Sequence, residues 1–123
     1  MRHSEHHLQG DITAPARSRR LLEAWAVGHS RRHEMVLALS ELVANAVVHA
    51  GTEIRERGVS IHFEESDSCV RVSVHHPGRA FTPVIRHGHS GLALVAGSVD
   101  RWGIDQQGPS VEVWFEIDES AVL

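Results

Sequence analysis

The chain has 123 residues, 41% of them hydrophobic and 23% charged, with a formal net charge of −4. That length and composition fit one domain with a single core and exclude a disordered chain, while the net acidity argues against a nucleic-acid partner. All twelve basic residues are arginine, so mechanisms that need a Walker, Schiff-base or kinase strand lysine are excluded.

The opening Met1-Arg-His-Ser-Glu-His-His is polar and carries no hydrophobic signal core. No apolar run is long enough to span a bilayer, so a cytoplasmic protein with no membrane contact is expected. Residues 1–10 read as a polar N-terminal tail and 11–119 as the domain, with room for a short strand near Leu8 to Ile12. Thr13-Ala-Pro15 marks a helix start, with threonine at the N-cap and proline in the first turn. Leu21, Leu22, Trp25 and Ala26 then repeat at helical spacing, and Gly28 is placed to end the helix. Ser30 is placed to cap a second helix that runs from Glu34 to Ala50 and stops at Gly51.

After Gly58 the period changes to two. Val59, Ile61 and Phe63 alternate with polar residues, Glu65 to Ser68 make a turn, and Val70, Val72 and Val74 alternate on the return. The pattern predicts a β-hairpin with one buried face. Cys69 lies within it as the lone cysteine, which precludes an internal disulfide. Pro77-Gly78 ends the hairpin and Arg79 to Ser90 reads as a loop. A third helix is expected from Gly91 to Val99, then a short strand at Trp102 to Asp105 and a last one carrying Val111, Val113, Phe115 and Ile117. The order predicts an α+β fold, a two-layer sandwich with three helices on one face of a mostly antiparallel sheet.

The second helix is apolar nearly all round, as in a helix buried within a domain. Against that background Glu41, Asn45 and His49 fall at i, i+4 and i+8 and line one edge. Such an edge either faces solvent or lines a wet pocket. In a pocket, a carboxylate can take a proton from a hydroxyl and an amide oxygen can ligate magnesium, which in turn binds phosphate. Eleven histidines are present, and His75-His76 with His87 and His89 could converge on Zn²⁺ or another transition metal. The competing reading makes them surface residues. The three tryptophans fall at apolar positions that suit core packing or a partner surface.

The segment Ser40-Glu-Leu-Val-Ala-Asn-Ala-Val-Val-His-Ala-Gly51 resembles the N-box of the Bergerat-fold ATPases, the superfamily of gyrase and the sensor histidine kinases. Within it the chain is most similar to the anti-sigma-factor serine kinases. The likeness runs from about Asp11 to Ile117 and includes the hairpin, Gly91-Leu92, Asp100-Arg-Trp-Gly103 and Val113-Trp-Phe-Glu-Ile117. The resemblance implies that Glu41 is the general base and Asn45 the magnesium ligand of a site for ATP and Mg²⁺. It implies that Gly91 and Leu92 close the nucleotide lid, where a helix N-terminus meets phosphate. It also implies a sigma factor or an anti-sigma-factor antagonist as protein partner, and a homodimer.

Three positions depart from the family pattern. Where the family has an adenine-binding Asp the chain has His76, with the following Gly78 kept. Where the lid has its first glycine the chain has His89, with Gly88 adjacent. Where a threonine backs up the adenine contact the chain has Glu112. Two functional readings follow. One is a regulatory serine/threonine kinase acting on an anti-sigma-factor antagonist; the other is a non-catalytic binding module of the same fold that no longer binds ATP. A histidine-lined metal-binding regulator is a third, more distant reading.

Overall fold

Alternate residues of three strands that neighbour one another in the sheet turn inward, and this period of two builds the floor of the domain. A computed structural model describes residues 2–49, 51–78 and 91–119. Its elements are β1 (Arg2–Leu8), α1 (Ala14–Trp25), α2 (Arg32–His49), α3 (Gly51–Arg57), β2 (Val59–Glu65), β3 (Cys69–Pro77), α4 (Gly91–Ser98), β4 (Arg101–Gln107) and β5 (Ser110–Asp118). The strands form one sheet in the order β1-β2-β3-β5-β4, and every neighbouring pair is antiparallel. Val59, Ile61 and Phe63 of β2, Val70, Val72 and Val74 of β3, and Val111, Phe115 and Ile117 of β5 are buried together. Leu22 of α1, with Met35, Leu39, Leu42 and Val43 of α2, covers them. Burial of this apolar surface is the main force holding helices to sheet. α2 lies between α1 and α4 and reaches β3. The expected two-layer α+β fold is the observed one.

Several boundaries differ from the sequence reading. Residues 1–10 were expected as a tail, but Arg2–Leu8 is a strand paired in register with Val59–Glu65. Its inner positions are Ser4, His6 and Leu8, so only one of the three carries the apolar side chain by which strands are recognised. The His6 ring packs 5.6 Å from that of Phe63. The strand's start is held to α1: the Arg2 guanidinium lies 4.3 Å from the Trp25 ring centre and donates a 2.8 Å hydrogen bond to the Trp25 carbonyl.

A fourth helix, α3, begins at Gly51, where the second helix was expected to stop. Ile54 anchors it, fully buried. Gly58 then turns the chain into β2 with φ +78, and a Cβ there would meet the Leu8 carbonyl oxygen at 2.5 Å. Thr13 is the N-cap of α1, yet its side chain makes no capping bond; instead Asp11 accepts the Thr13 N–H at 2.9 Å. Just ahead of α2 the His29 Nδ1 receives the Arg31 N–H at 3.1 Å. Among the described helices none is long and apolar enough to cross a membrane.

Candidate functional site

The site is assembled where the C-terminal half of α2 passes the end of β3. Eight residues of α2, from Met35 to Ala46, are buried, so the helix is fixed in rotation by its own packing. That leaves Glu41 and Asn45 half-buried on one edge and His49 exposed at the end. Arg19 of α1 donates a 2.9 Å hydrogen bond to the Ser40 hydroxyl, tying the two helices together one residue before Glu41. The side-chain nitrogen of Asn45 is buried and has no hydrogen-bond partner. An orphaned buried donor of this kind costs on the order of 1–3 kcal/mol, so it is the atom a ligand would satisfy.

His76 is on the inner face of β3, opposite Val111 in the ladder, and only 4% exposed. Its Nδ1 lies 2.9 Å from the carbonyl oxygen of Pro77. A carbonyl can only accept, so the ring proton sits on Nδ1. Burial pushes the His76 pKa below the usual histidine value; the Pro77 bond opposes that shift, and the nearby charge of His49 reinforces it. His76 is therefore neutral and presents a bare Nε2 lone pair, which is buried and unpartnered. Both orphaned side-chain atoms among the described residues, Asn45 Nδ2 and His76 Nε2, lie on α2 and β3, which pack together.

Gly78 follows with φ +120, a conformation natural to glycine. Its N–H donates to Pro109 at 3.0 Å, and its carbonyl accepts from Gln106 Nε2 at 3.0 Å. The same Gln106 nitrogen reaches Gly108 and Ser110, so one amide fixes the end of β3 against the β4–β5 turn. Neither Arg19 nor Gln106 stands out in the sequence, because a single polar side chain carries no period. Gly91 and Leu92 form the first turn of α4, which packs on α2. Gly88, His87 and His89 lie outside the described residues.

Two expectations are corrected by the alternation of strand faces. His75 and His76 are adjacent in sequence and so point to opposite sides of the sheet: His75 pairs across the outer face with Glu112, at 3.2 Å, while His76 is buried inside. They cannot share a metal ion. Glu112, expected beside the adenine position, likewise stands on the outer face, where it also accepts from Arg71 at 2.7 Å. The inner residue next to His76 is Val111.

The helix-covered antiparallel sheet, with an acid–amide edge on its central helix, goes with a match found in the sequence. Residues 11–116 match the family model of the histidine kinase-like ATPase domain, and the chain belongs to that family. Thirteen solved chains match the fold. One is the crystal structure of the RsbU and RsbW domains of Rv1364c from Mycobacterium tuberculosis, with a TM-score of 0.77 and 23% identity over 98% of the present chain. The present chain spans 34% of that protein's length. No curated protein matches the sequence.

Proposed function

We propose that the chain is an anti-sigma-factor-type regulator that binds ATP with Mg²⁺ and phosphorylates a serine or threonine of an anti-sigma-factor antagonist. The observation that carries this reading is His76. The Asp expected at its position accepts a hydrogen bond from the adenine amino group, and a neutral histidine with Nδ1 occupied offers the same acceptance at Nε2. The substitution thus changes the residue and keeps the chemistry. The resemblance to RsbW-type domains supplies the partner class, and the family supplies the ligand class.

The residues present fit the group. Asn45 would hold magnesium through its amide oxygen, leaving its orphaned nitrogen to donate to a phosphate oxygen. Glu41, one helical turn earlier on the same edge, would take the proton of the acceptor hydroxyl. His49 and Gly78 would line the nucleotide site, and the first turn of α4, at Gly91 and Leu92, would offer backbone N–H groups to phosphate. Bound Mg·ATP supplies the transferable phosphoryl group and the cation that neutralises its charge.

Calorimetric titration with ATP and Mg²⁺ tests the reading. Micromolar affinity is expected, lost in Asn45→Ala, weakened in His76→Ala and retained in His76→Asp. No heat at millimolar nucleotide would sink it and leave the non-catalytic module. Phosphate transfer to an antagonist protein, absent in Glu41→Gln while ATP still binds, tests the enzymatic half.

A further inference from the structure

The sheet's outer face, opposite the helices, holds a second cluster of chemically capable side chains. β1 and β2 pair so that Glu5 stands directly opposite His62, with His3 one outer position away along β1. One nitrogen of His3, one carboxylate oxygen of Glu5 and one nitrogen of His62 all lie within 4.8 Å of one another. Glu5 Oε1 is 3.8 Å from His62 Nε2, and the rings of His3 and His62 are 6.3 Å apart. On the other side of His62 the ring of His75 packs at 4.4 Å, and His75 is itself held by Glu112.

We propose that His3, Glu5 and His62 form a transition-metal site of the zinc class. Two imidazoles and one carboxylate are the donor set that Zn²⁺ takes with a water in the fourth position, whereas magnesium and calcium prefer all-oxygen surroundings. Ligand–metal distances of about 2.0–2.2 Å put the donors of a tetrahedral site roughly 3.3 Å apart. The three donor atoms already lie within 4.8 Å of one another on strands of fixed register, so side-chain rotation is what closing to that spacing requires. His75, braced by Glu112, packs against the His62 ring and limits its swing, the supporting role that residues around a metal ligand commonly play. The other histidines of β1 do not compete for the ion. His6 faces inward, hydrogen-bonded to Ser4 at 2.6 Å, and His7 is engaged with Ser60 at 3.1 Å.

The ion would bridge β1 to β2 and so fasten the edge strand. It would do so on the face away from α2, leaving the nucleotide region untouched.

The test uses the full chain, free of any purification tag and stripped of metal, titrated with zinc chloride by calorimetry and with cobalt chloride by absorption. One equivalent of zinc is expected, together with the visible bands of a low-coordinate cobalt centre. His3→Ala, Glu5→Gln and His62→Ala should each weaken zinc binding by more than about tenfold, the loss typical even of a supporting residue around a metal. His33→Ala, which removes an exposed histidine on α2, should leave it unchanged. Circular dichroism of each variant, together with His62→Gln, separates loss of the site from loss of the fold. Absence of zinc binding in the folded wild type overturns the proposal. So does equal binding by folded His62→Ala or His62→Gln, which would mean chelation by the histidine-rich strand alone.

Discussion

At the scale of single residues, His76 couples the candidate site to solution conditions. Its folded pKa lies below the unfolded value because burial disfavours the imidazolium. Above about pH 6.5 both states hold it neutral, and the full stability is present. As the pH falls, the unfolded chain gains a proton that the folded one resists, so stability is lost with a slope of at most about 1.4 kcal/mol per pH unit until the buried ring itself protonates. Urea midpoints at about pH 7.5 and about pH 5.5, either side of the histidine midpoint, should diverge more for the wild type than for His76→Asn. The other histidines contribute to both proteins alike. The Glu41–Asn45–His49 edge is legible in the sequence because three polar residues at helical spacing interrupt an apolar helix. The character of His76 is not. Its tautomer depends on a carbonyl 2.9 Å away and its neutrality on burial, and neither leaves a mark in the residue order.

At the scale of elements, the joints between helix and sheet rest on a few polar residues. Asp100, between α4 and β4, is the clearest. Its Oδ2 accepts from Arg31 Nη1 at 2.8 Å and from the backbone N–H of Asp118 at 2.7 Å. Arg31 in turn reaches the Ser98 carbonyl at 2.8 Å and pairs with Glu34 at 3.1 Å. One carboxylate therefore joins the start of α2, the end of α4 and the end of β5. The groups are about a third exposed, so screening leaves a modest effect. Asp100→Ala should destabilise the domain by about 1–2 kcal/mol, mainly through the lost charge-assisted bond to Asp118, read as a lower urea midpoint at unchanged slope. The hairpin and β5 were legible because their apolar residues alternate without a break. α3 was not: it places only Ile54 in the core, and one residue sets no period. Trp114 shows the same limit. It sits at an outward position of β5, where it lies 4.3 Å from the Arg71 guanidinium, donates to Asp105 at 2.9 Å and covers Gly103, whose absent Cβ would meet the ring at 2.7 Å. An alternating pattern read for hydrophobicity alone does not say that a tryptophan can face outward under a cation.

At the scale of the molecule, the sheet separates two chemistries. The inner face holds helices and the orphaned polar atoms of the candidate site. The outer face holds a continuous run of paired charges and histidines, from His3 and His62 through His75, Glu112 and Arg71 to Glu116 and Arg101. This division explains why Glu112 does not disturb the inner side and why His75 and His76 belong to different stories. It also gives the first strand a weight that its composition hides. A fragment cut at residue 11, where the family match begins, would keep every described helix and the candidate-site residues, yet strip β1 from β2. β2, with Val59, Ile61 and Phe63, would then become the edge in place of the polar β1, and an apolar edge is the kind through which sheets join. That fragment should self-associate as concentration rises, which light scattering of it beside the whole chain would reveal. The seven residues that look like a tail replace an apolar margin with one of charge and histidine.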